Sequence, residues 1–276
     1  MIDWEAMRDR LFKKFCSLAY ARAGIVLKPG KEALVSARVG KRIRALGLDS
    51  EEEYLERLER DQNGDEIVCF LDAISTNFTS FFREAEHFKE LSKTVGEWVE
   101  AGQRRIRIWC AASSSGEEPY TLAITLAEAI GNRPVDYRIL ATDISTRVLA
   151  TASRGIYAVE RLDPLTRAQR TRFFRRAEPG KQGEERVEVE PTLREHLIFK
   201  RLNLAKPPYP MRGPLDCVFC RNVMIYFDRP IRQGLVEQIE RLLKPGGLLA
   251  IGHSETLSGI TTTLACVRPT LYRKPD

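Results

Sequence analysis

The feature that most limits what this chain can fold into is a series of short apolar runs, each bounded by a helical pattern. Arg105-Ile-Arg-Ile-Trp-Cys-Ala-Ala112, Tyr137-Arg-Ile-Leu-Ala-Thr142, Leu215 to Cys220 and Leu248 to Gly252 read as strands. Glu117 to Ile130, Ser145 to Ser153 and Arg229 to Leu243 read as the helices between them, the last ended by Lys244-Pro-Gly-Gly247. Strands this apolar are covered on both faces, and covered strands alternating with helices make a parallel, doubly wound α/β sheet. Val267 to Lys274 reads as a late strand that pairs antiparallel at one end. Phe174 to Lys200 breaks the rhythm. Pro179-Gly180, Gly183 and the alternation Arg186-Val-Glu-Val-Glu190 predict a half-exposed antiparallel hairpin insertion there.

Residues 1–75 follow a different period. Trp4, Met7, Leu11, Phe15 and Leu18 recur at helical spacing. Lys31 to Leu46 reads as a second helix stopped by Gly47, and Ser50 with Glu53 forms a capping box for a third. The division expected is a small all-α domain over 1–75, a linker or lid over 76–96, and an α/β domain over 97–276 that carries the 174–200 insertion. The segment Ser75 to Glu84 holds three aromatic residues. It is too apolar for a plain linker and fits a strap across the mouth of a crevice.

Hydrophobic residues make up 43% and charged residues 30%, a balance that folds into a globule. No apolar run approaches the roughly 20 residues that span a bilayer, and Met1 to Phe15 is too charged for a signal peptide. The chain is therefore expected in the cytoplasm, reduced, without a metal, and as a monomer. Cys217 and Cys220 sit in one strand, where positions three apart face opposite sides, so they read as buried thiols. His87, His196 and His253 show no ligand spacing. The net charge of +6 is organised: seven Lys/Arg and one acid fall between Arg22 and Arg44, and nine acids follow between Asp49 and Glu66. On the second helix Arg38, Lys41 and Arg42 share a stripe beside the apolar one, either a solvated face or a dock for an acidic helix.

The first strand runs through Ser113-Ser-Ser-Gly-Glu-Glu-Pro-Tyr120 into a helix, the position at which doubly wound sheets bind nucleotides. The glycine fingerprint of dinucleotide sites and the lysine of triphosphate sites are both absent. The second strand ends at Asp143, whose carboxylate suits a ribose diol. Glu117 and Glu118 would repel a pyrophosphate but accept an ammonium or sulfonium group. The combination favours S-adenosylmethionine over NAD. The third strand ends at Arg221-Asn222, followed by the apolar Val223 to Phe227, which cannot all face water.

Thr76 to Glu84, Ala111 to Tyr120, Thr142-Asp143-Ile144, Cys220 to Asp228, Leu243 to Gly247 and Gly252-His-Ser-Glu255 occur in this order. Together they resemble the CheR family of chemotaxis receptor methyltransferases over nearly the whole chain. The resemblance implies a Rossmann-like methyltransferase sheet with a small antiparallel β insertion, preceded by a small all-α domain. It implies methyl transfer from S-adenosylmethionine to glutamate side chains on the cytoplasmic helices of chemoreceptors, leaving S-adenosylhomocysteine. It implies cofactor contacts from Asn77, Thr79, Arg83, Glu118, Asp143, Asn203, Leu204, Arg221 and Asn222, with Arg83 and Tyr226 near the transferred methyl. It also implies that Arg38, Lys41, Arg42 and Arg44 meet the receptor, and that the insertion takes a receptor C-terminal peptide in some members. Ser113-Ser-Ser departs mildly from the Ala/Thr-rich loop expected.

A glutamate acceptor is already ionised at neutral pH, so no general base is required, and orientation is the residues' main task. Two other readings are open to test. Pro207-Pro-Tyr209 superficially matches the signature of nucleic-acid amino-methyltransferases, but Lys206 stands where a carbonyl acceptor belongs and the motif precedes the third strand. No nucleic acid is therefore expected. A non-catalytic S-adenosylmethionine-binding adaptor would not need Arg83 and Tyr226.

Overall fold

The computed structural model describes residues 4–61, 64–75, 78–180 and 183–276. It opens with helices α1 (Trp4–Ala23), α2 (Glu32–Leu46), α3 (Glu51–Glu59) and α4 (Asp65–Ile74). These bury a core of their own around Phe15, Val39, Tyr54, Leu58 and Phe70, with the Phe15 and Phe70 rings 5.6 Å apart. Gly47 closes α2 in the left-handed conformation. Ser50 Oγ caps α3 by accepting the Glu53 N–H at 3.1 Å. The reciprocal half of the expected box lands one residue early: the Glu53 carboxylate accepts the Asp49 N–H.

The larger unit follows as α5 (Glu86–Glu100), β1 (Arg105–Cys110), α6 (Glu117–Ile130), β2 (Asp136–Asp143), α7 (Thr146–Arg154), β3 (Ile156–Ala158), α8 (Arg167–Phe173), β4 (Phe174–Arg176), β5 (Arg186–Val189), α9 (Pro191–Arg194), β6 (Leu197–Arg201), β7 (Leu215–Cys220), α10 (Arg229–Leu242), β8 (Leu243–Ile251), β9 (Ala265–Arg268) and β10 (Leu271–Arg273). The main sheet runs β6-β2-β1-β7-β8-β10-β9. Strands β6 to β8 in that order are parallel, and β10 is antiparallel to both neighbours. Alternation along the strands feeds two cores. Ile106, Ile108, Cys217 and Phe219 join one; Trp109, Val218, Cys220 and Leu249 join the other. Cys217 and Cys220 thus lie on opposite faces, buried and unpaired.

Five features differ from the sequence expectation. His196 to Lys200 is not part of the insertion: β6 joins the main sheet beside β2, with Leu197 opposite Ile139. The insertion instead recruits β3 from upstream, giving a three-stranded sheet ordered β3-β5-β4. Three residues give no alternation to read, which is why β3 is silent in the sequence. The late strand is two, β9 and β10, folded back at Thr270, whose φ is 65°. Strand β8 starts at Leu243, because Gly246 and Gly247 exchange backbone hydrogen bonds with Lys274 and carry the pairing through the Lys-Pro-Gly-Gly turn signal. Finally, the segment 76–96 runs from Glu86 onward into α5, whose Phe88, Leu91, Val95 and Val99 belong to the sheet core.

Candidate functional site

Strand β1 has β2 on one side and β7 on the other, so the chain crosses over there and leaves a crevice beyond the strand ends. A cavity of about 560 Å³ opens at that point, within the roughly 300–1,000 Å³ that small-molecule sites occupy. The strand ends supply Ala111, Ser114, Glu118, Asp143, Arg221 and Asn222. The far wall comes from the helical unit, between Ala23 and Arg38, and the third side from Phe78, Thr79 and Arg83. Gly24 makes that wall fit. Its φ is +68°, and a Cβ there would lie 2.6 Å from both Ala205 and Ile231 side chains.

Asp143 ends β2. One carboxylate oxygen accepts the Ser114 N–H at 2.9 Å, the other the Ser145 N–H at 3.0 Å. Each oxygen keeps acceptor capacity toward the cavity, which is what a vicinal diol needs. Burial pushes the Asp143 carboxyl up, against the pull of the two N–H groups. The two acids of the following loop separate. Glu118 faces the cavity, while Glu117 is fully buried elsewhere, 2.9 Å from Arg161 and accepting the Ser115 hydroxyl. A one-residue step on a helix turns the side chain by roughly 100°, so only one of the pair can face the crevice.

Arg221, at the end of β7, is the centre of the site's charge. Its side chain is 0% exposed and bridges Glu118 at 2.7 Å and Glu84 at 2.8 Å. It also donates to the Arg83 carbonyl at 2.5 Å and sits over the Phe88 and Phe219 rings. Burial works against the guanidinium's charge, but the two carboxylates outweigh it. Burial also raises the Glu118 carboxyl, with Arg221 opposing. Burial raises Glu84 as well, yet the Arg221 hydrogen bond and charge, with the His253 N–H and Asn222 amide, bring it below its ordinary value. Two carboxylates around one guanidinium leave this cluster, on the strand side of the cavity, locally negative, favourable to an ammonium or sulfonium group.

Glu84 and Glu255 are site residues to which sequence reasoning gave no role, although both lie in the motifs quoted above. Glu255 is 8% exposed and, among the described residues, its carboxylate accepts from backbone alone: the N–H groups of Gly252 at 2.6 Å, Asn222 at 2.9 Å and Ile225 at 3.3 Å. It thereby fixes the loop that carries Asn222 and Tyr226 to the end of β8. A Cβ on Gly252 would come within 2.4 Å of the Asn222 amide, so glycine is required there. Phe82, Glu84, Ser114 and Asn222 all have positive φ without being glycine. Such backbone is held at a cost of about 1–3 kcal/mol each and concentrates at working sites.

Thr79, Arg83, Leu204 and Tyr226 also line the cavity. Arg83 donates to the Phe78 carbonyl at 2.7 Å and lies over its ring. Asn203 lines it too, with its amide donating to Arg22 O at 2.7 Å and its carbonyl accepting Ala205 N–H, so it ties α1 to the crevice. Asn77 lies outside the described residues. The basic stripe divides. Arg38 donates to the carbonyls of Ile74 and Ser75 and lines the cavity; Arg42 makes a forked bond to Glu66, which also accepts the Tyr54 hydroxyl. Lys41 and Arg44 are exposed. Tyr209 of the Pro-Pro-Tyr motif is buried against Trp109, donates to Leu204 O, and does not line the cavity. His87 and His253, far apart in the chain, meet beside Glu84 with ring centroids 5.2 Å apart. No helix among the described residues is long and apolar enough to cross a membrane.

Comparison with known proteins matches two family models in sequence order. Residues 10–75 match the CheR methyltransferase all-alpha domain and residues 77–272 the CheR methyltransferase SAM binding domain. The chain is 42% identical over 267 residues to a chemotaxis protein methyltransferase of Salmonella typhimurium, covering 97% of this chain and 91% of that one. The counterpart from Escherichia coli K12 is 41% identical, with 99% and 93% covered. Chemotaxis protein methyltransferase 2 of Pseudomonas aeruginosa is 39% identical, with 98% and 92% covered.

Proposed function

This chain belongs to the CheR methyltransferase family, and we propose that it methylates glutamate carboxylates on the cytoplasmic helices of chemoreceptors, forming glutamate methyl esters. The methyl donor is S-adenosylmethionine, which when bound supplies an electrophilic methyl group on a positively charged sulfur. The reading is supported by the cavity at the strand ends, which Asp143 lines and where Glu118 is held beside Arg221. Asp143 grips the diol through its open acceptor positions. Glu118, Arg221 and Asn222 hold the charged amino-acid end, Thr79, Asn203 and Leu204 close the sides, and Asn77 joins them.

Arg83 and the Tyr226 hydroxyl orient the incoming carboxylate for in-line attack. Neither removes a proton, because the acceptor is ionised well below neutral pH. Holding the two reacting groups in line is worth up to several kcal/mol. In this reading residues 1–75 dock the receptor, 76–96 cover the crevice mouth and 97–276 perform the transfer. The three-stranded sheet of the insertion leaves β3 and β4 as edges, either of which offers strand addition to a receptor C-terminal peptide.

The test is radiolabelled methyl transfer to receptor-rich membranes. Base-labile label on glutamate is expected. Cofactor binding without any label would leave a non-catalytic adaptor and sink the proposal. Calorimetry with Asp143→Ala should show cofactor affinity down by roughly 10–100-fold, the size of one lost charged hydrogen-bonding group.

A further inference from the structure

Eight large hydrophobic side chains are exposed among the described residues, and four of them line the one cavity described above. Phe78 is 66% exposed, Ile225 47%, Leu34 43% and Val26 37%. They come from three separate stretches of chain: the end of α1 and start of α2, the strap before α5, and the loop after β7. Apolar side chains scattered singly over a surface need no explanation, but a cluster around a cavity mouth marks a contact surface. Lys28 and Lys31, both exposed, line the same cavity on the helical-unit side. Neither has a carboxylate partner among the described residues. The cavity's own acids, Glu118 and Asp143, belong to the strand side.

Arg38 and Arg42, in contrast, are occupied inside the fold. The exposed basic residues of the cavity mouth are therefore Lys28 and Lys31, which precede α2 and lie ten and seven residues ahead of Arg38. We propose that this rim is the surface that seats the substrate: an amphipathic helix whose apolar residues pack on Val26, Leu34, Phe78 and Ile225 while its acidic residues meet Lys28 and Lys31. This rests on the glutamate-methylating reading above and specifies its docking geometry. The argument is one of reach. A glutamate side chain is short beside the roughly 10–12 Å width of a helix, so a helix that delivers a carboxylate into the cavity must lie on its rim. Hydrophobic residues around a charged centre give the anchor, and complementary charge sets register and encounter rate.

The experiment measures methyl transfer by the full chain to a purified receptor cytoplasmic fragment, with cofactor affinity measured in parallel by calorimetry. The variants are Lys28→Glu/Lys31→Glu and Leu34→Ser. Both should raise KM for the fragment, the charge reversal by about tenfold or more with salt dependence flattened, and in each case by more than cofactor affinity changes. Wild-type protein that labels the fragment alongside variants of unchanged KM overturns the docking surface and leaves the methylation reading intact. Wild-type protein that labels no carboxylate overturns both. Vesicles of phosphatidylglycerol that bind wild type but not the variants, with KM for the fragment unmoved, would assign the rim to a lipid surface and overturn the helix.

Discussion

In the seven-stranded sheet Arg221 stands at a strand end with its side chain 0% exposed, between Glu84 and Glu118, whereas at the three-stranded sheet Arg175 of β4 and Arg194 of α9 share Glu188 at 49% and 31% exposure. The distances are alike, 2.7 and 2.8 Å in the first case and 2.9 and 2.5 Å in the second. The surroundings are not. Around Arg221 are two aromatic rings, a backbone carbonyl and the cavity; Glu188 keeps 21% of its side chain exposed and its two arginines keep more. A pair in water contributes about 0–1 kcal/mol, while breaking a buried one by removing a partner costs about 3–5 kcal/mol. Ion pairs of similar length thus sit in different settings: one is buried beside the cavity, the other lies half-exposed at a small sheet.

The comparison breaks first on Arg221→Met. Two buried carboxylates lose their counter-charge, so unfolding free energy should fall by about 3–5 kcal/mol and methyl transfer should vanish. A urea titration showing less than about 1 kcal/mol would place the cluster on the same footing as the surface pairs. Next in size is Glu255→Ala, which orphans the three N–H groups it accepts. A loss of roughly 2–4 kcal/mol is expected, with Glu255→Gln restoring part of it, since one amide oxygen remains. Chemical denaturation of both variants, alongside cofactor calorimetry, distinguishes the loop clamp from general packing.

The third effect is on pH. His87 is 4% exposed and its pKa is lowered to about 4, by burial first and the Arg221 charge second. Between pH 6.5 and 4 the unfolded chain takes up a proton that the folded ring refuses, so stability falls as pH drops through that window. At pH 5 the share of this one group is about 2 kcal/mol at most. Thermal unfolding from pH 7 to 5 should show that slope, and His87→Gln should flatten it. Smallest is Arg194→Ala in the insertion, for which a change under about 1 kcal/mol and an unaltered transfer rate to receptor fragments lacking a C-terminal peptide are expected.

What the sequence made legible follows the same division between interior and rim. Runs such as Ile106 to Cys110 and Leu215 to Cys220 are apolar because both faces are covered, so β1 and β7 could be placed from composition alone, and Asp143 stood out as an acid at a strand end. The motif order pointed to the cavity residues. Partnerships across the fold were not legible. Nothing near Arg42 in the chain announces Glu66, and nothing near Arg221 announces Glu84 137 residues away. The choice of Glu118 over Glu117 depends on helix phase at one residue, finer than a periodicity count resolves. Strand β3 is too short to show a period, and β6 took its place in the main sheet by matching the register of β2 rather than by any signal of its own.

The tight packing at Gly24 sets a limit on modular exchange. With Ala205 and Ile231 pressed against that residue and the Val26 N–H bonded to Tyr226 O at 2.8 Å, the front helices form one wall of the cavity, and in the proposed function they dock the receptor as well. Swapping those helices between relatives would import a foreign wall. Chimeras built to change receptor choice should therefore drift in donor affinity too, unless the patch from Ala23 to Leu27 travels with its matching floor.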